Sequence, residues 1–194
     1  MNTLRTYAKR IALSAMLPLM LASAAVAASG TTFTLLGAKP ATLTRAELTA
    51  AQKTATPGHI SADKKTLAFS GKTVRLVENT WPDNDMLSYR IDGLRNPTLV
   101  VPRGATIKIL FVNTDEDMLH NIRFGAWQGT WPSVFTAAFV KKSVGAPPLP
   151  HISKTVLPGE QMTLRIPAKP GTYAYFCTVR GHAPGGMWGK IIVR

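Results

Sequence analysis

The chain contains eight short runs rich in β-branched, aromatic and aliphatic residues, and this pattern limits the folds open to it. The runs cover 66–69, 73–77, 87–91, 98–101, 106–112, 162–166, 172–177 and 189–193. Within the fifth run, Ile107, Ile109 and Phe111 alternate with other residues and share one face of a strand. Prolines and glycines between the runs suit turns. The pattern predicts an all-β fold, an antiparallel β sandwich or barrel.

The segment before these runs predicts an N-terminal extension with one short helix. Residues 29–40 are small and polar, which is typical of a tether. Thr44 and Glu47 have the spacing of a capping box, so we expect a helix near 44–54. We therefore divide the exported chain into an extension over 29–65 and a β domain over 66–194. Residues 125–151 show no clear pattern and are expected to form an irregular excursion between strands.

The first 28 residues have the three-part build of a secretory signal peptide. Three basic residues precede an apolar stretch over 11–26, and small residues at 25 and 27 supply a cleavage pattern. We expect cleavage after Ala27 or Ala28 and export of the remaining chain. The alternative is a retained membrane anchor, because 11–28 lies at the lower edge of the length that spans a bilayer.

The charge balance is strongly basic, with 23 Lys and Arg against 10 Asp and Glu and a net charge of +13. Nucleic-acid-binding proteins concentrate basic residues on one face or in one run. Here they are scattered, so we do not expect nucleic acid as a partner. The unusual quantity is the shortage of carboxylates. A surface with few of them changes its charge little as the pH falls past about 4, which suits a protein that faces acid.

Cys177, His182 and Met187 are separated by four residues each and lie between the last two predicted strands. One cysteine alone excludes an intramolecular disulfide, an iron–sulfur cluster and a Cys-rich zinc site. A thiolate, an imidazole and a thioether together suit copper in both of its oxidation states. His120, which follows the strand ending near 112, is the candidate for a fourth ligand. The sequence thus predicts one copper ion held by His120, Cys177, His182 and Met187.

Other chemistries for these residues are less favoured. Zinc also binds Cys and His, but the thioether of Met187 argues against it. A nucleophilic Cys177 with His182 as its base needs an activated thiolate and an orienting group. Glu160 is the only acidic residue after Leu157, so we do not expect an enzyme. A single Cys, Met or His is ordinarily a core or surface residue, and only their combination favours copper.

The motifs resemble those of the cupredoxins, the family of blue copper proteins, and within it the rusticyanins of acidophilic iron-oxidising bacteria. The similarity covers most of 42–194, including Asn96-Pro97-Thr98-Leu99, Phe111-x-Asn113-Thr114 and the loop from Cys177 to Met187. It implies a Greek-key β sandwich with an N-terminal extension and one type 1 copper on the four residues named above. Asn121 stands where rusticyanins carry serine. The resemblance implies that it links the two ligand loops, and the alternative is a turn residue.

The resemblance further implies a monomeric electron carrier of the periplasm. Its partners would be a c-type cytochrome, a terminal oxidase or both, and it would act as a diffusing shuttle or as an oxidase-associated accessory. Membrane association through the oxidase or a retained N-terminal segment stays open. His182 is expected at the solvent edge, with Ala183, Pro184 and Trp188 as an apolar docking patch, although Trp188 alternatively packs in the core. A second class of function is a periplasmic copper chaperone or storage protein.

Overall fold

The computed structural model describes residues 30–80, 85–153 and 155–194, so the predicted signal segment over 1–28 lies outside the described residues. Within those ranges no helix is long and apolar enough to cross a membrane. The elements in chain order are β1 (Thr34–Leu43), α1 (Arg45–Lys53), β2 (His59–Ile60), β3 (Thr66–Ala68), β4 (Thr73–Thr80), β5 (Tyr89–Ile91), β6 (Leu94–Arg95), β7 (Thr98–Val101), β8 (Thr106–Val112), β9 (Arg123–Ala126), α2 (Ala137–Lys142), β10 (Val144–Gly145), β11 (Leu157–Arg165), β12 (Gly171–Phe176) and β13 (Trp188–Val193).

The strands form two sheets that enclose one main core. The first sheet has the order β1-β11-β8-β4-β5-β6, and the second has the order β10-β9-β12-β13-β7-β3-β2. Inward side chains of both sheets meet in a single buried cluster, which includes Val74 and Phe111 from the first sheet and Leu99 and Tyr175 from the second. The predicted all-β sandwich with a short helix is confirmed, and every run predicted as a strand overlaps one.

The sheets are mixed rather than purely antiparallel. The pairs β4–β8, β3–β7 and β7–β13 are parallel. The chain passes from the second sheet to the first between β3 and β4 and again between β7 and β8. Because both crossings run in the same direction, β3 lies parallel to β7 and β4 lies parallel to β8. The antiparallel expectation is corrected here, because sheet crossing is not visible in local sequence patterns.

The N-terminal extension is part of the sandwich rather than a tether. β1 pairs antiparallel with β11 over nearly its whole length, from Thr34 with Arg165 to Leu43 with Leu157. Most side chains of β1 are exposed, so backbone hydrogen bonds hold it and its sequence lacks the apolar alternation of a buried strand. The predicted helix is confirmed: α1 begins after Thr44 with the complete capping box formed with Glu47.

The segment expected to be irregular, 125–151, contains the end of β9, helix α2 and β10. Arg123 ties this excursion together, since its guanidinium donates to the carbonyls of Val140 and Ser143 and to the Ser143 hydroxyl. Gly145 has φ +150°, and a Cβ there would lie 2.1 Å from the Ile122 carbonyl oxygen. Only glycine therefore allows β10 to approach the chain beside β9.

Candidate metal centre

Cys177, His182 and Met187 lie on the loop that joins β12 to β13. Cys177 directly follows β12 and Met187 directly precedes β13. The Cys177 amide donates to the Met187 carbonyl at 3.1 Å, so the two ends of the loop continue the hairpin. Inside the loop, Met187 N–H donates to the His182 carbonyl and His182 N–H donates to that of Val179. These tight turns bring the three side chains to one end of the core.

His120 reaches the same place from the connection between β8 and β9. Its backbone exchanges two hydrogen bonds with Leu149, at 3.1 Å and 2.7 Å. The side-chain amide of Asn113 also donates to the carbonyls of Met118, Leu149 and Pro150. The connection that carries His120 is therefore held against the segment returning from α2, and its imidazole is fully buried.

The four side chains predicted as ligands converge at short distances. One donor atom each of His120, Cys177 and His182 lies within 4.8 Å of the others. Cys177 Sγ is 3.5 Å from His182 Nδ1, which is 3.2 Å from His120 Nδ1. Met187 Sδ lies 3.1 Å from that same His120 Nδ1. Two sulfur atoms and two ring nitrogens thus face one another within the reach of a single ion.

The ionisation of these groups follows from their burial. Burial raises the pKa of the Cys177 thiol to about 11 and lowers the pKa of the His182 imidazole to about 4, with the neighbouring His120 as a second cause. Burial also lowers the pKa of His120, against the opposite effect of Asp115. Both rings are neutral near pH 7 and offer lone pairs. The thiol needs a nearby cation to become a thiolate, as a coordinated metal provides.

Asp115 is a buried carboxylate that touches the site and that sequence reasoning missed. Its Oδ2 lies 3.0 Å from His120 Nε2, and its Oδ1 accepts the backbone N–H groups of Asp117 and Met118. Burial raises the pKa of Asp115, but these hydrogen bonds outweigh it and hold the pKa below its ordinary value. The only sequence signal was an aspartate five residues before a candidate ligand, in the loop after a strand.

Asn121 connects the two loops that carry the candidate ligands. Its amide nitrogen donates to Thr178 Oγ1 at 2.7 Å, and its amide oxygen accepts the Thr178 N–H at 2.8 Å. Its backbone carbonyl also accepts the hydroxyl of Tyr89 at 2.6 Å. His120 and Cys177, the chain neighbours of this pair, are thereby held in register although 57 residues separate them.

An aromatic cover lies over the ligand loop on the outer face of the second sheet. It consists of Trp127, Trp131, Phe135, Phe139 and Trp188, packed on buried Ala174, Phe176 and Ala183. Ring centroids are 4.6 Å apart for Trp131 and Phe176 and 4.7 Å apart for Trp127 and Trp188. The Gly181 amide donates to the Ser133 carbonyl at 2.9 Å, which joins the cover to the loop. Residues of the excursion therefore brace the site.

The expected docking patch is corrected in two of its members. Ala183 is fully buried under the aromatic cover, and Trp188 packs in that cover. Pro184 is exposed, and His182 keeps 7% of its surface accessible. Besides Pro184, exposed apolar residues of this region are Met86 at 36%, Leu119 at 47% and Val134 at 60%. Each is next in sequence to a residue that contacts or belongs to the site: Leu87, His120 and Ser133.

The donor set fits copper. Two neutral imidazoles, a thiol and a thioether combine the ligand types that serve Cu(I) and Cu(II), whereas Mg²⁺ and Ca²⁺ prefer oxygen. All four side chains are buried, and their hydrogen-bonded loops hold them together before any ion binds. The Asp115 carboxylate accepts from the far nitrogen of His120, an arrangement typical of metal-binding histidines.

Comparison with known proteins agrees with this site. The family of copper binding proteins named plastocyanin/azurin matches residues 82–194. Rusticyanin of Acidithiobacillus ferridurans is 33% identical over 138 residues, which cover 71% of each chain. A rusticyanin of Acidithiobacillus ferrooxidans is 33% identical over 138 residues, covering 71% of this chain and 85% of the relative.

Solved structures show the same relationship. The structure of reduced rusticyanin at 1.9 Å superposes with a TM-score of 0.70 and 26% identity, covering 80% of this chain and 100% of the other. The 1.27 Å structure of rusticyanin from Thiobacillus ferrooxidans has a TM-score of 0.68 and 28% identity, covering 80% of this chain and 97% of the other. The cofactor is one type 1 copper, and the protein belongs to the plastocyanin/azurin family of copper-binding proteins, the cupredoxins.

Proposed function

We propose that this protein is a single-electron carrier of the periplasm, in which His120, Cys177, His182 and Met187 hold the copper. The observation that carries the proposal is the convergence of two sulfur and two nitrogen donors, supplied by two loops that hydrogen bonds hold in place. The cupredoxin family supports the same role.

When bound, copper supplies one-electron exchange between Cu(I) and Cu(II). The protein contributes a site that changes little during that exchange. Cys177 and Met187 are fixed by the backbone hydrogen bond between them, and His120 is fixed by Leu149 and Asp115. Burial of all four side chains excludes water. Because little has to rearrange, electron transfer in either direction meets a low barrier.

Electrons would pass through the edge of His182. Among the four proposed ligand residues, His182 alone has accessible surface, at 7%, while the other three have none. Met86, Leu119 and Val134 provide exposed apolar surface near this end of the sandwich. Such a surface suits the small and transient contacts of redox partners. We propose a c-type cytochrome, a terminal oxidase or both as those partners.

The optical spectrum of the copper-loaded protein tests this function. We expect an intense thiolate-to-copper charge-transfer band that is absent in Cys177→Ser, and a reversible one-electron wave in voltammetry. Cys177→Ser keeps the size of the side chain and so separates loss of the thiolate from loss of the fold. A copper-loaded protein without the band would refute the proposed ligand set.

A copper chaperone or storage protein would behave differently in the same preparation. It would lose its metal readily to a competing chelator, because chaperones use accessible and exchangeable sites. The burial of the four side chains argues for retention. Slow copper release together with reversible redox cycling supports the carrier, whereas rapid release without a reversible wave would favour the chaperone.

Association with a membrane oxidase is the finer part of the proposal. Fractionation of cells without detergent tests it, with detection of this chain in the soluble and membrane fractions. Retention in the membrane fraction, and release by detergent, supports an oxidase-associated or anchored accessory. Full recovery in the soluble fraction would support the diffusing shuttle instead.

A further inference from the structure

Asp115 places a buried negative charge behind one of the proposed copper ligands. Its carboxylate is 2% exposed and lies 3.0 Å from His120 Nε2, on the edge of the ring opposite to Nδ1. Nδ1 is the atom that faces Met187 Sδ and His182 Nδ1. The carboxylate therefore contacts the ring without taking one of the positions around the metal.

The hydrogen bonds around Asp115 indicate which nitrogen of His120 carries the proton. A carboxylate that already accepts two backbone N–H groups acts as an acceptor toward the ring as well. His120 Nε2 must then be the protonated nitrogen, and Nδ1 keeps its lone pair for the metal. Asp115 is itself held by its own amide, which donates to Asn113 Oδ1, and by its carbonyl, which accepts from Ile152.

A charged acceptor does more than orient a ring. It draws the Nε2 proton toward itself and increases the electron density at Nδ1, which strengthens that atom as a ligand. A negative charge also attracts Cu(II) more strongly than Cu(I), because Cu(II) carries the larger positive charge, and the low effective dielectric constant of a buried site enlarges this difference. Both effects stabilise the oxidised state of the copper.

We propose that Asp115 is a positioning residue, which fixes His120 with Nδ1 toward the copper and lowers the reduction potential of the site. The inference rests on the copper site and on His120 as a ligand, and not on the identity of the redox partner. The effect on the reduction potential comes from the negative charge of the carboxylate. An uncharged amide at position 115 would orient the ring but would not supply that charge.

The test is the variant Asp115→Asn, copper-loaded and compared with the unmodified protein by voltammetry at one fixed pH. Mutation of a residue that hydrogen-bonds a metal-binding histidine typically costs about 10- to 100-fold in metal affinity. We expect Cu(II) affinity to fall by that order and the potential to rise by about 59 mV for each tenfold loss of preference for Cu(II). The energy of the charge-transfer band should shift in the same variant.

Asp117→Asn is the matched control. It removes the same charge two residues away, but the Asp117 side chain is exposed, and its backbone N–H still donates to Asp115. We expect its potential to stay close to that of the unmodified protein. An unchanged potential in Asp115→Asn, or equal shifts in the two variants, would overturn the proposal.

A measurement on the unmodified protein covers the case in which Asp115→Asn does not fold. Nitrogen-15 NMR of the diamagnetic Cu(I) form reports the proton on each histidine ring. We expect His120 protonated at Nε2, with a slowly exchanging proton, and a proton at Nδ1 would overturn the proposal. Failure of the unmodified protein to bind copper would refute the copper site itself, which is a different outcome.

Discussion

Asn121 and Thr178 form a reciprocal pair across the two loops that carry the proposed ligands. The Asn121 amide group donates to the Thr178 hydroxyl and accepts the Thr178 backbone N–H. An apolar side chain at position 121 can make neither bond, because it has no donor and no acceptor. The register between His120 and Cys177 therefore depends on one side chain that does not belong to the donor set.

Replacement of Asn121 by alanine should destabilise the fold and weaken retention of copper. Two hydrogen bonds are lost, each with a net contribution of about 0.5–1.5 kcal/mol, so we expect a loss of about 1–3 kcal/mol in the free energy of unfolding. Chemical denaturation of the metal-free protein measures it. Thr178→Val, which removes only the hydroxyl, should lose less, and a larger loss there would contradict the assignment.

The two histidines should respond differently to removal of their side chains. We expect His182→Gly to open a space at the surface, since His182 is the one of the two residues with accessible surface, whereas His120→Gly leaves an enclosed space backed by Asp115. We expect added imidazole to restore the charge-transfer band in copper-loaded His182→Gly and to fail in His120→Gly. Titration with imidazole under the spectrophotometer decides this, and rescue of His120→Gly alone would reverse the assignment of the solvent edge.

The aromatic cover should stabilise the ligand loop as well as the fold. Trp131 contacts Phe176 and other rings of the cover. It is only partly buried, so for Trp131→Ala we expect a loss of about 2–3 kcal/mol, below the value for a fully buried tryptophan. Hydrogen exchange should accelerate at the Gly181 amide, which bonds to Ser133. Amides of α1 serve as the internal control, and acceleration there to the same extent would indicate general destabilisation only.

Glu78 should make the fold more stable in acid than near neutrality. Its side chain is fully buried, and in the described part of the chain neither carboxylate oxygen has a hydrogen-bond partner. Burial raises the pKa of Glu78 well above its ordinary value of 4.5. The ordinary value applies to the unfolded state and the raised value to the folded state. At a pH between them, Glu78 keeps its proton in the folded state and releases it in the unfolded state. Stability from this group is thus fully present below pH 4.5 and declines as the pH rises toward the folded pKa.

The variant Glu78→Gln tests this pH dependence, because it cannot ionise. Free energies of unfolding are measured for both proteins at a series of pH values from acid to neutral. Relative to Glu78→Gln, the unmodified protein should lose up to about 1.4 kcal/mol per pH unit above the ordinary pKa. Titrations common to both proteins cancel in the difference. Parallel profiles over the whole range would contradict the prediction.

Local patterns in the sequence predicted much of the fold. The alternation in β8 and the capping box of Thr44 and Glu47 act between near neighbours, so they appear in the sequence as spacings. β1 escaped prediction because its pairing with β11 uses backbone groups and its side chains are exposed. The parallel strand pairs were not predicted because they result from crossings between the sheets, which leave no local pattern in the sequence.

For the site, the sequence by itself determined the donor types on one loop: Cys177, His182 and Met187 at a spacing that a tight hairpin connection allows. Only the tertiary structure decided what surrounds them. Asp115 behind His120, the aromatic cover over Phe176 and the burial of Ala183 all depend on packing between distant segments. Spacing along a chain encodes what one loop can hold, whereas the charge, water access and rigidity of a site arise where separate segments meet.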